Sequence, residues 1–100
     1  MFLLSRFKIK GHSMSPKFSE EDSVLVSSIP FMFIKPKKGD VVVFEKFNRI
    51  YLKRIGKIKD DKYFLVGDNK KDSLDSRRFG TVDRNQIKGK VIFKIDLIPN

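Results

Sequence analysis

Lys38-Gly39-Asp40-Val41-Val42-Val43-Phe44, followed by Ile50-Tyr51-Leu52-Lys53-Arg54-Ile55, decides the fold. A Lys-Gly-Asp turn signal opens onto a short apolar run rich in β-branched residues, which reads as a strand. The second stretch reads as its partner, with Asn48-Arg49 in the connection. Outward in both directions the same pattern recurs. Arg6 to Lys10 alternates apolar with basic residues. Ser23-Val24-Leu25-Val26-Ser27, Lys62-Tyr63-Phe64-Leu65-Val66 and Lys90-Val91-Ile92-Phe93-Lys94-Ile95 bring the strands to about six. Gly11, Gly39, Gly56, Gly67, Gly80 and Gly89 fall at the ends of these runs, where turns belong. No segment of ten residues keeps a helical period, and Asp83 to Ile87 holds at most one capped helical turn. The expectation is an all-β protein: a single bent antiparallel β-domain over residues 1–100, with long loops.

Composition narrows the chemistry. There is no cysteine, which excludes a disulfide scaffold, a thiolate metal site and a thiol nucleophile. The single histidine, His12, has no carboxylates at ligand spacing, so neither a metal nor another cofactor is expected. Lys and Arg number 22 against 12 Asp and Glu, a net charge of +10. That field attracts nucleic acid or an anionic membrane. The basic residues are spread along the chain, however, with no run beyond Lys35-Pro36-Lys37-Lys38. No zinc-finger spacing, RNA-binding aromatic signature or helix-turn-helix pattern occurs, so no specific nucleic-acid partner is expected. A basic β-domain that binds nucleic acid through charge alone is the reading from a different functional class. A steep salt dependence of binding would reveal it.

No stretch approaches the about 20 apolar residues of a spanning helix. Met1-Phe2-Leu3-Leu4-Ser5-Arg6-Phe7-Lys8 is too short and too charged for a signal-peptide core. The chain is expected to be a monomer, cytoplasmic or peripheral on a membrane. Ile29-Pro30-Phe31-Met32-Phe33-Ile34 is apolar throughout and lies between two strands beside Lys35, Lys37 and Lys38. It either folds back into the core or makes a membrane or substrate contact.

Two polar segments interrupt the strand pattern: Gly11-His12-Ser13-Met14-Ser15-Pro16, and the loop from Gly67 to Gly80. Long loops in small domains are often functional. A serine nucleophile needs a base. His12 adjoins Ser13, and adjacent residues of an extended chain point to opposite sides. A lysine serves as a base only when neutral, and apolar burial is the means of keeping it so. Lys53 is the lysine set in a strand among Tyr51, Leu52 and Ile55, although a solvent-facing strand lysine fits the same pattern.

Four ordered stretches resemble the successive boxes of the signal peptidase I family, peptidase family S26. They are Gly11-His12-Ser13-Met14-Ser15-Pro16, Lys38-Gly39-Asp40-Val41-Val42-Val43-Phe44, Tyr51-Leu52-Lys53-Arg54-Ile55-Gly56, and the run from Gly67-Asp68-Asn69 through Ser73, Asp75-Ser76-Arg77 and Gly80 to Val82. Gly89-Lys90-Val91-Ile92-Phe93 is similar to the strand that closes the catalytic core, so the resemblance covers residues 6–95. It implies a partial-barrel fold and a Ser/Lys-dyad endopeptidase acting on precursor proteins or leader peptides. Ser13 takes the nucleophile's position and Lys53 the general base's. Ser73 takes that of the serine orienting the lysine. Asp75 and Arg77 take those of a structural ion pair. The backbone N–H of Ser13 would serve the oxyanion hole.

The chain also departs from the family's pattern. Gly11 stands where some members have a hydroxyl that assists the oxyanion hole, and Lys17-Phe18 follow the box proline where Thr is common. The usual transmembrane helices and inserted second β-domain are absent from the sequence. The size is similar to that of the anchorless members that mature nickel-type superoxide dismutase. Maturation of one dedicated soluble partner is therefore an alternative to leader removal.

Overall fold

The computed structural model describes residues 4–11, 13–69 and 80–95. Its centre is the Val41-Val42-Val43-Phe44 run, in strand β3 (Val41–Lys46), where all four residues are buried. Alternation along the strand splits them. Val41 and Val43 join one core cluster with Ile9, Met14, Phe18, Val24, Val26 and Val91. Val42 and Phe44 join another with Phe31, Ile55, Tyr63, Leu65, Val82 and Ile87. A strand packed on both faces reads as a continuous apolar run, because neither face has a use for polar side chains.

Around β3 are β1 (Ser5–Lys8), β2 (Ser23–Ser27), β4 (Arg49–Lys59), β5 (Lys62–Val66), β6 (Val82–Asp83) and β7 (Ile87–Ile95). They form one seven-stranded sheet in the order β1-β2-β7-β3-β4-β5-β6. Every pairing is antiparallel. The all-β expectation holds, with two additions: the two-residue strand β6, and a helix α1 (Pro30–Phe33) between β2 and β3. The capped turn near Asp83 is a 3-10 turn over Arg84–Gln86, closed by a reciprocal capping box between Asp83 and Gln86. In Ile29–Ile34 only Phe31 reaches the core, held beneath Arg84, whose guanidinium donates to the Phe31 carbonyl at 3.1 Å. Met32, Phe33 and Ile34 are exposed. Lys37 and Lys38 are carried away from the helix into the turn that opens β3, where the Lys37 N–H donates to the Asp40 side chain at 3.0 Å.

The sheet bends. β1 and β4 stand at the first and fifth places in the strand order, yet both line one pocket. Further bending comes from register shifts between Leu25 and Val26, Val43 and Phe44, and Ile55 and Lys57. At the last of these Gly56 is closely packed: a Cβ there would meet the Val66 methyls at 3.2 Å, so Val66 would have to shift by a few tenths of an ångström. Two hairpins close with two-residue turns whose central residues both have positive φ: Phe47 and Asn48 (54° and 61°), and Asp60 and Asp61 (51° and 62°). Asn and Asp tolerate that conformation, whereas Phe47 is a bulky residue held where few such residues go. Among the described residues no helix is long and apolar enough to cross a membrane.

Candidate active site

β1 runs out at Lys8, and its ladder is prolonged by the Ile9 N–H donating to the Asp22 carbonyl at 2.7 Å. The chain then turns. Gly11 adopts a φ of +81°, a conformation that strains any residue with a Cβ. This gives a physical reason for glycine where a hydroxyl residue would have added a side-chain donor. Two residues on, Ser13 is half-buried, and the next side chain, Met14, is sunk in the first core cluster. The turn is closed by the Phe18 N–H donating to the Met14 carbonyl at 3.0 Å. From across the molecule the Asn69 N–H donates to the Ser13 carbonyl at 2.7 Å. The serine is thus held by a core anchor on one side and by the Gly67-Asp68-Asn69 segment on the other.

Lys53 pairs with Val42 in the β3–β4 ladder. Register and alternation place it on the same face as Val42, Tyr51 and Ile55, the face of the second core cluster. It is 4% exposed, the one buried lysine among the described residues. The solvent-facing alternative is excluded. Ser13 and Lys53 line the same pocket, about 170 Å³, whose remaining walls are mostly apolar: Phe7, Ile9, Met14, Val43, Ile50 and Leu52 among them.

The next residue supplies a support that the sequence reading did not single out. Arg54 donates from Nε and from one terminal nitrogen to the two carboxylate oxygens of Asp68, each at 2.8 Å. Its other terminal nitrogen donates to the Gly39 carbonyl at 2.9 Å. One guanidinium therefore joins three of the four boxes. The bidentate hydrogen bond from Arg54 holds the Asp68 carboxyl below its ordinary range, and the same bond raises Arg54. The available signal was Arg54 and Asp68 both sitting inside motif stretches, but sequence spacing alone does not show which acid meets which base. The pair expected from the sequence, Asp75 with Arg77, lies outside the described residues, as do Ser73 and His12. Among the described residues no group of three or more His, Cys, Asp or Glu side chains gathers as a metal site.

Comparison with known proteins follows the same lines. The family model described as "Signal peptidase, peptidase S26" matches residues 1–56 and 51–95, in two pieces that meet within β4. Signal peptidase IB of Staphylococcus aureus (strain N315) is 28% identical over 149 residues, covering 93% of this chain and 78% of the relative. Its counterpart from strain COL is 27% identical over the same span. Signal peptidase I of Bacillus amyloliquefaciens is 24% identical over 136 residues, covering 88% of this chain and 74% of the relative. In the staphylococcal alignment more than a third of the 149 positions have no counterpart in this 100-residue chain.

Proposed function

Because the chain belongs to the S26 signal peptidase family, we propose that it is a serine endopeptidase with Ser13 as nucleophile and Lys53 as general base, removing N-terminal leader or signal segments from precursor proteins. The observation that carries the reading is that the one buried lysine among the described residues and the serine of the Gly11–Pro16 turn line the same pocket.

The Lys53 amine accepts the Ser13 hydroxyl proton as Oγ bonds to the scissile carbonyl carbon, and the carbonyl electrons move onto its oxygen. The Ser13 N–H donates to that oxyanion. Collapse of the intermediate breaks the C–N bond, and the departing amine takes the proton from Lys53. Water then hydrolyses the ester with Lys53 again as base. Ser73 orients the lysine, and Asp75 with Arg77 steadies its loop, by resemblance to the family's boxes.

Substrate binding follows from the sheet edges. β1 is the first strand in the order, and β5 pairs with β4 only from Arg54 onward. Residues Phe7–Lys10 and Ile50–Lys53 therefore bring two strand edges to one pocket. An extended peptide segment can pair along such edges while its alternate side chains enter the apolar walls.

The test is incubation with candidate precursors and mass determination of the new N-terminus. Wild type is expected to cleave after the leader, whereas Ser13→Ala and Lys53→Arg, both folded, leave the precursor intact. Cleavage by either variant at near wild-type rate ends the dyad assignment. Maturation of a single soluble partner is distinguished by cleavage of that protein alone among a panel of leader-bearing substrates.

A further inference from the structure

β7 outruns its neighbour. It pairs with β3 only from Ile87 with Phe44 to Lys90 with Val42, and β3 begins at Val41. Past Lys90 the strand continues to Ile95, paired on its other side with β2 through Val26 with Val91, Leu25 with Phe93, Val24 with Lys94 and Ser23 with Ile95. Among the described residues, nothing pairs with the β3 side of residues 91–95. At about 3.4 Å per residue that is roughly 17 Å of strand edge, enough for about five residues of a partner strand.

A groove of about 360 Å³ opens along this edge, and it shares no lining residue with the Ser13–Lys53 pocket. Lys90, Val91, Ile92, Phe93 and Lys94 all line it. Side chains alternate between the faces of a strand, so five consecutive residues in one groove mean that it follows the strand's edge. The first core cluster supplies Phe18, Val41 and Val91 as apolar wall. Ile92 and Phe93 add apolar surface that is 47% and 53% exposed.

The lining charge is mostly positive. Lys17, Arg54, Lys90 and Lys94 stand against one carboxylate, Asp40. Arg54 is committed to Asp68 and the Gly39 carbonyl. The lysines are held loosely. Lys90 lies 3.5 Å from Asp40 and Lys94 3.8 Å from Asp22, beyond the about 2.7–2.9 Å of a charge-assisted hydrogen bond. Both carboxylates already accept a backbone N–H, Asp40 from Lys37 at 3.0 Å and Asp22 from Ser19 at 2.9 Å. Lys17 is exposed. Three ammonium groups thus keep donors to offer beside an open strand edge.

We propose that this edge binds an extended, acidic peptide segment of a partner protein, which joins the sheet as a strand beside β7. The segment's amides complete the ladder, its carboxylates meet Lys17, Lys90 and Lys94, and its apolar side chains cover Ile92 and Phe93. A nucleic acid fits the groove less well, since it brings no amide edge to the strand and Asp40 repels its phosphates. Lysines on an open edge can also guard it against pairing, and the two roles differ in whether a strand binds. This surface does not depend on the proteolytic reading and is tested without cleavage.

The experiment titrates the full chain with a fluorescein-labelled octapeptide of alternating glutamate and valine, read by anisotropy and by the amide chemical shifts of the protein. The peptide is expected to bind, with its largest shifts at residues 91–95. A glutamine counterpart, and one N-methylated at alternate amides, should each bind roughly tenfold more weakly. Lys17→Gln combined with Lys94→Gln should weaken binding roughly fivefold. Lys57→Gln with Lys59→Gln removes the same charge from exposed positions of β4 outside the groove and should leave binding unchanged. Thermal melts of both double variants confirm folding. The proposal is overturned if no peptide binds, which leaves the lysines as guards of the edge, or if the two double variants bind alike. It is also overturned if the N-methylated peptide or an oligothymidylate of equal charge binds as well as the parent, which leaves only the diffuse +10 charge. Shifts confined to residues 7–10 and 50–53 overturn it too, since they place the peptide in the Ser13–Lys53 pocket.

Discussion

Asp68→Asn removes the negative charge that Arg54 grips at two 2.8 Å contacts while keeping the side chain's shape. The two side chains are 26% and 22% exposed, so the pair lies between the surface and buried limits. Exposed pairs contribute about 0.2–1 kcal/mol, and removal of one partner from a buried pair costs about 3–5 kcal/mol. An intermediate loss of about 2 kcal/mol is expected, within the range of hydrogen bonds to charged groups. For a domain of this size that lowers Tm by about 8–16 °C. The pH dependence has a definite sign. Asp68's carboxyl is held below its ordinary value in the folded chain. Its contribution is therefore complete above about pH 4 and is lost as pH falls through the depressed folded value. The stability gap between wild type and Asp68→Asn should be widest at pH 7 and should narrow as pH falls below about 4. A double-mutant cycle with Arg54→Met, followed by thermal and denaturant unfolding, isolates the pair. Asn69, which donates to the Ser13 carbonyl, is the next residue, so kcat/KM should fall as well, measured where every variant is folded. A coupling energy below about 0.5 kcal/mol, or a gap equally wide at pH 7 and pH 3, would refute this account of the support.

The proposed dyad predicts a cleavage rate that rises with pH as the lysine amine loses its proton and then levels off. Lys53→Arg, which cannot supply a neutral base, should be as inactive as Ser13→Ala in the precursor assay. Phe47→Asn relieves a left-handed strain of about 1–2 kcal/mol and should raise Tm; an unchanged or lowered Tm contradicts the strain. Leu65→Ala empties a fully buried site in the second core cluster and should cost about 2–5 kcal/mol in denaturant unfolding. A loss below about 1 kcal/mol there would mean that the cluster collapses around the gap.

Strands were legible where local pattern and tertiary demand agree. Ser23–Ser27 and Lys62–Val66 are found with the expected bounds. β4 continues to Lys59, past Ile55, because the register shift at Gly56 lets it turn and pair with β5; a glycine read only as a strand end conceals that continuation. β6 has two residues, too few for any periodicity, and exists through its pairing with Lys62 and Tyr63. The apolar run Ile29–Ile34 cannot reveal its burial, since α1 turns one side chain inward and leaves its neighbours outside. At the site, the burial of Lys53 was legible only in part, since its apolar strand neighbours allow it but a solvent-facing strand lysine fits the same pattern. The Arg54–Asp68–Gly39 clamp was not legible, because it depends on the register that sets Arg54 opposite Val41 and Val66, and spacing along the chain does not give that register.

The Asp60–Asp61 turn has an evolutionary and engineering consequence. The two pieces of the family match meet in the strand just before it, and relatives carry many positions that this chain lacks. On either side of the turn the β4–β5 ladder is continuous from Lys59 with Lys62 to Arg54 with Val66, apart from the single shift at Gly56. A hairpin of that kind is a modular port: a folded unit spliced between Asp60 and Asp61 leaves each strand's register and both core clusters in place. Its two ends need only begin and finish about one strand spacing apart, roughly 5 Å. Scaffold and inserted module can then be exchanged as separate parts, with the two-residue turn as the minimal plug.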